Sequence, residues 1–120
     1  MKLATILVID DQKSVRMILK RALEDAGYQV AEAANGRHGL DLFQTTPADL
    51  VITDIAMPEM NGLELILELT RAFPNVKVIA MSGIASDELQ AAKLLGAQCT
   101  LQKPFDLPAL LRAVQYELEH

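Results

Sequence analysis

Cysteine is almost missing: Cys99 is the only one in 120 residues, so no disulfide can form within the chain and a reducing compartment is compatible. Its apolar surroundings make it a small buried strand residue. Basic charge is also scarce. Eleven Lys and Arg stand against 16 Asp and Glu, a formal charge of -5, and no basic cluster suits the tracking of a phosphate backbone, so direct nucleic acid binding is not expected. No apolar run approaches the roughly 18 residues of a membrane span, and Met1-Lys2 leads straight into a strand rather than a signal-peptide pattern. A cytoplasmic protein without membrane contact is the expectation. Long linkers, internal repeats and low-complexity tracts find no room.

Apolar residues make up 51% of the chain, enough for one domain over residues 1–120 to bury a sizeable core, with no space for a second. Apolar runs of strand length alternate with segments of helical period, which indicates consecutive βα units, an α/β fold and a parallel sheet. Strands are expected near residues 4–9, 28–33, 49–53, 76–81 and 98–102. The first, third and fourth are continuous apolar runs and belong at the sheet's centre, covered on both faces.

The first helix, about 13–26, shows Val15, Ile18, Leu19, Ala22 and Ala26 on one face and ends at Gly27. The second opens near Asn35-Gly36 and presents Leu40 and Phe43. The third follows Gly62, carries Leu63, Ile66, Leu67 and Phe73, and stops before Pro74. Ser86 reads as the N-cap of a fourth helix with a thin apolar face, Leu89, Ala92 and Leu95, closed by Gly96. Asp106 caps the fifth, with Pro108 in its first turn and Leu107, Leu110, Leu111, Val114 and Leu118 turned inward. Leu118-Glu119-His120 fits equally the natural end of that helix and the start of a cloning scar with an affinity tag.

Polar residues mark four strand ends. Asp54 ends the run Leu50-Val51-Ile52-Thr53, where a carboxylate is held rigid yet open to solvent. Asp10-Asp11 follows Ile6-Leu7-Val8-Ile9, Ser82 follows Val78-Ile79-Ala80-Met81, and Lys103-Pro104 follows Cys99-Thr100-Leu101-Gln102. Taken singly, Asp-Asp is usually a solvated helix start and Lys-Pro a turn. Together they fall at one edge, because ligands of open parallel sheets sit beyond the carboxyl ends of the strands.

Two carboxylates about 4 Å apart repel by roughly 4 kcal/mol at an effective dielectric near 20, so three in one cleft favour a bound cation or a captured proton. Oxygen ligands without His or Cys select Mg²⁺ or Mn²⁺ over zinc. Asp54 then suits a nucleophile that takes a phosphoryl group as an acyl phosphate, while the Lys103 ammonium neutralises the equatorial oxygens. The Ser82 hydroxyl can donate to that group once it is present, and Gly83 leaves the pocket open. A contact made in only one state is what a switch requires.

Over essentially its whole length the chain resembles the receiver domain of two-component response regulators, the chemotaxis-regulator-like type. The resemblance rests on Val8-Ile9-Asp10-Asp11, on Asp54-Ile55-Ala56-Met57-Pro58-Glu59-Met60-Asn61-Gly62, on Met81-Ser82-Gly83 and on Lys103-Pro104-Phe105. It implies a doubly wound (βα)5 sandwich, flavodoxin-like, with a five-stranded parallel sheet of order 2-1-3-4-5 and a cis peptide before Pro104. It also implies Asp54 as phosphoacceptor, Asp11, Asp54 and the backbone carbonyl of Ala56 as Mg²⁺ ligands, and Asp10 assisting through water. The phosphoryl donor would be a sensor histidine kinase or a histidine phosphotransfer protein of a two-component or phosphorelay system. Such a phosphoprotein catalyses only its own phosphorylation and autodephosphorylation. It turns over no separate metabolite, so it is not an ordinary enzyme, and it changes its affinity for a downstream protein that the sequence does not name. A monomer or weak dimer is expected.

Two features depart from the family pattern. Thr100 stands where an aromatic residue is common, so either the switch works through Ser82 and the fourth helix without a rotating ring, or the domain relays phosphate without a large output change. Ala56 and Ile84 occupy positions that are often polar, and neither side chain can hydrogen-bond an attacking water, so slow loss of phosphate is expected. His38 and His120 read as solvated, Met57 and Met60 as packing residues, and Gln90 and Lys93 as exposed positions of the fourth helix, open to a partner surface but more often merely solvated. The rivals are a non-phosphorylated receiver-like interaction module and a small aspartate-nucleophile phosphatase of the haloacid dehalogenase type. The phosphatase would need an Asp-x-Asp motif and a cap domain. A single-domain regulator, a relay shuttle and a fragment of a longer regulator or hybrid kinase all fit the chain.

Overall fold

The computed structural model describes residues 3–83 and 86–120. Among these residues five strands alternate with five helices: β1 (Thr5–Ile9), α1 (Lys13–Asp25), β2 (Gln29–Ala33), α2 (Gly36–Thr45), β3 (Leu50–Asp54), α3 (Gly62–Ala72), β4 (Val78–Ser82), α4 (Ser86–Leu95), β5 (Cys99–Gln102) and α5 (Leu107–Glu119). All strand pairs are parallel, in the order β2-β1-β3-β4-β5. The three continuous apolar strands are the central ones, as their composition requires.

Successive strand side chains point to opposite faces, and the core divides accordingly. Ile6, Val8, Leu50, Ile52, Ile79 and Met81 meet Leu19 and Leu23 of α1 and Leu110 and Val114 of α5. On the other face Leu7, Ile9, Val51, Val78 and Ala80 meet α2, α3 and α4 through Leu40, Phe43, Leu65, Ile66, Leu69, Leu89 and Ala92. Asn35, Asn61 and Asp106 cap α2, α3 and α5, their side-chain oxygens accepting from the N–H groups of His38, Glu64 and Ala109 at 2.8, 3.0 and 2.6 Å. Gly27, at φ +99°, turns the chain out of α1 in a conformation that other residues rarely adopt.

Several helix assignments from periodicity need correction. The buried stripe of α1 is Leu19 and Leu23; Ile18 is 56% exposed and Ala26 lies outside the helix, exposed. In α3 the fully buried residues are Leu65, Ile66 and Leu69, with Leu63 and Leu67 at the margin. Leu107 of α5 is also partly exposed. Packing angles, rather than apolar content alone, decide which side of a broad apolar stripe turns inward. Among the described residues α4 begins at Ser86, and the expected cap there rests on residues outside them.

Candidate functional site at the carboxyl edge of the sheet

The register carries four strand ends to one edge. Ile9 lies opposite both Ala33 and Thr53, Asp54 opposite Met81, and Ser82 opposite Gln102. Asp10, Asp54, Ser82 and Lys103 therefore sit level, around the gap between β1 and β3 where the direction of winding reverses. Asp10, Asp54 and Ser82 are buried, Asp11 is exposed and Lys103 is half-buried.

Carboxylate oxygens of Asp10, Asp11 and Asp54 lie within 4.8 Å of one another. Lys103 Nζ bridges the two buried acids, 3.3 Å from Asp10 Oδ2 and 3.4 Å from Asp54 Oδ1. Asp10 Oδ1 accepts from the N–H of Gln12 at 2.9 Å, which fixes its rotamer. Burial pushes the Asp54 carboxyl above the ordinary 3.8, and the neighbouring Asp10 pushes the same way; Lys103 and the Ile55 N–H pull it back only in part. One ammonium does not neutralise this cluster. An all-oxygen set of three carboxylates, one of them open to water, fits a hard divalent cation that keeps part of its hydration.

The loop from Asp54 to α3 is held close beneath the site. The N–H of Gly62 donates to the Ile55 carbonyl at 2.8 Å, and a Cβ on Gly62 would fall 2.3 Å from the Asp54 carbonyl oxygen. Only glycine allows that approach. The Thr53 hydroxyl donates to the same Asp54 oxygen at 2.9 Å. Met57 and Met60 are buried and pack into the core, and Ala56 is exposed in the loop two residues past Asp54. The Lys103–Pro104 bond is cis.

Two residues join the site without having been expected there. Arg16, one turn into α1, donates to the Asp10 carbonyl at 2.7 Å and is held from behind by Glu32 of β2 at 3.3 Å. Its place one helical turn beyond Gln12 was the available signal. Glu88 of α4 accepts a hydrogen bond from Ser82 Oγ at 3.0 Å; an acid in a first helical turn is ordinary, and nothing in the sequence singles it out. Thr100 lies in β5 opposite Ala80, half-buried, while Ile84 lies outside the described residues. Cys99 is half-buried, its thiol pushed up by burial and then by Glu117, with Lys93 opposing. His38 and His120 are exposed, His120 stacked on Tyr116 with centroids 4.0 Å apart. Gln90 and Lys93 are exposed as expected, and among the described residues no helix is long and apolar enough to cross a membrane.

Known proteins share this fold and much of this sequence. Sporulation initiation phosphotransferase F of Bacillus subtilis is 36% identical over 111 residues, covering 92% of this chain and 90% of that protein. Sensor kinase CckA of Brucella abortus is 40% identical over 121 residues, 97% of this chain but only 13% of the kinase. A CheY-like response regulator receiver domain protein from Methanospirillum hungatei superposes with a TM-score of 0.94 at 32% identity, over 98% of this chain and 95% of that one. Residues 6–115 match the response regulator receiver domain, and the chain belongs to that family of two-component and phosphorelay signalling domains.

Proposed function

We propose that Asp54 accepts a phosphoryl group from a phosphohistidine in a Mg²⁺-dependent reaction, and that the resulting acyl phosphate changes the affinity of the domain for a downstream protein. The observation that carries this reading is the bridge of Lys103 between Asp10 and Asp54 within a three-carboxylate cluster. Asp11, Asp54 and the Ala56 carbonyl would hold the ion, with Asp10 acting through water. When bound, Mg²⁺ neutralises charge on the transferred group and on the acids around it.

The chain's own residues then have distinct tasks. Asp54, kept at the end of a rigid buried strand, presents a carboxylate oxygen to phosphorus; the P–N bond to the donor imidazole breaks as the P–O bond forms. Lys103 leaves its ground-state partners to pair with phosphoryl oxygen, so its charge is in place before the reaction starts. Arg16 pins the turn that carries Asp10 and Asp11. Family membership removes the support for a dehalogenase-type phosphatase, since the acids are adjacent rather than spaced as Asp-x-Asp.

The donor has to approach over the rim. Exposed Met17 and Ile18 of α1, with Leu107, Pro108 and Leu111 of α5, line an apolar groove of about 620 Å³ between the two helices, a surface suited to the helices of a kinase or phosphotransfer protein. Intact mass after treatment with acetyl phosphate tests the reading. One added phosphoryl group with Mg²⁺, and none with EDTA, is expected; no adduct on a folded chain would support the interaction-module alternative.

A further inference from the structure

Ser82 is fully buried at the end of β4, and Glu88 is half-buried in the first turn of α4. Their hydrogen bond of 3.0 Å therefore fastens α4 to the strand edge on which the phosphoryl pocket is built. A hydroxyl carries a single proton. It cannot be given at once to Glu88 and to an oxygen of a phosphoryl group on Asp54.

We propose that Glu88 is a positioning residue that holds the Ser82 hydroxyl toward α4 in the unphosphorylated domain and competes with the phosphoryl group for it, so that phosphorylation breaks the Ser82–Glu88 bond and releases the first turn of α4. The inference rests on Asp54 being the phosphoacceptor.

Three features support the exchange. The Ser82 main chain is anchored, its carbonyl accepting from the Lys103 N–H at 2.8 Å, so the hydroxyl changes direction by rotation about χ1 while the strand end stays in place. Among the described residues there is room beside Ser82, for a Cβ on Gly83 would approach none of their atoms nearer than Lys103 Cβ at 3.9 Å. The apolar face of α4 is narrow: Leu89 and Ala92 are buried, whereas Leu94 is 88% exposed. The bond to the Glu88 carboxylate adds a polar tie between the first turn of α4 and the end of β4. A phosphoryl group also brings negative charge toward the Glu88 carboxylate, and repulsion acts in the same direction as the lost hydrogen bond.

The test is a double-mutant cycle on the full chain with BeF3⁻ and Mg²⁺ as the probe, read as apparent dissociation constant and as amide shifts of α4 by NMR. Glu88→Ala is expected to bind BeF3⁻ about tenfold more tightly than wild type, the order of one hydrogen bond to a charged group. The gain should fall below about twofold in a Ser82→Ala background, as the cycle requires if Glu88 acts through Ser82. Glu88→Gln, which keeps an acceptor oxygen, should stay nearer to wild type. In ligand-free Glu88→Ala the α4 amides should already move toward their BeF3⁻-bound positions. An unchanged affinity in Glu88→Ala, or an equal gain with and without Ser82, would overturn the proposal while leaving Asp54 as acceptor. Failure of wild type to bind BeF3⁻ would overturn both.

Discussion

Lys103, one residue past β5, reaches across the end of β4 to place its ammonium 3.4 Å from Oδ1 of Asp54 at the end of β3. The counter-charge that phosphoryl transfer to Asp54 would require is thus already in place. It offsets the burial of Asp54 only in part, and the carboxyl remains above the ordinary 3.8.

Stability should report that imbalance. Native Asp54 binds its proton more tightly than the unfolded chain does, so from pH 3.8 up through the raised native value the folded state holds more protons. Stability is therefore lost as pH rises across that window. Asp54→Asn is expected to raise Tm at pH 7, with the advantage shrinking as pH falls toward 3.8. Melting curves across that range check both the sign and the window.

Mg²⁺ should relieve the same repulsion. At ten times its Kd the ion stabilises the native state by about 1.4 kcal/mol, visible as a rise in urea midpoint. Asp11 is exposed, so Asp11→Asn is expected to change metal-free stability by no more than about 0.5 kcal/mol while markedly weakening the response to Mg²⁺.

The closeness of Gly62 to Asp54 makes a further prediction. Gly62→Ala would drive a methyl against the Asp54 carbonyl and Ile55 Cα, at 2.3 and 2.6 Å, and shift the acceptor strand's exit. A loss of about 1–3 kcal/mol in urea unfolding is expected, together with weaker Mg²⁺ binding by titration.

Ala56 offers an attacking water no hydrogen bond. Supplying one with Ala56→Asn should speed autodephosphorylation at least about tenfold, followed as decay of the phosphorylated mass after acetyl phosphate is removed. An unchanged lifetime would show that this position does not govern water attack.

Much of the fold can be read from the chain because the signals are local. Val51 to Asp54 and Val78 to Ser82 are apolar runs ending in a polar group, and a parallel sheet covered on both faces leaves few other uses for them. The same holds for the cap at Asp106 and for the start of α2 near Asn35-Gly36, whereas the cap at Asn61 showed only in the structure. Periodicity failed where the apolar stripe was wider than the buried face: it put Ile18 on the inward stripe of α1 and left out Leu23, yet Leu23 is buried against the sheet and Ile18 is exposed. Asp10, Asp11, Asp54, Ser82 and Lys103 were legible as strand ends. The parts played by Arg16 and Glu88 were not, because each depends on a contact between elements rather than on a pattern within one: Arg16 on the distance from α1 to the Asp10 carbonyl, Glu88 on the tilt of α4 over β4.

Borohydride trapping after acetyl phosphate and Mg²⁺ tests the central claim most directly, because an aspartyl phosphate is reduced to homoserine where an unmodified carboxylate is not. The expected result is homoserine at position 54 by peptide mass spectrometry, absent when EDTA is added or when Asp54→Asn is used. Homoserine at another acid, or an adduct on wild type that borohydride leaves untouched, would contradict Asp54 as the phosphoacceptor.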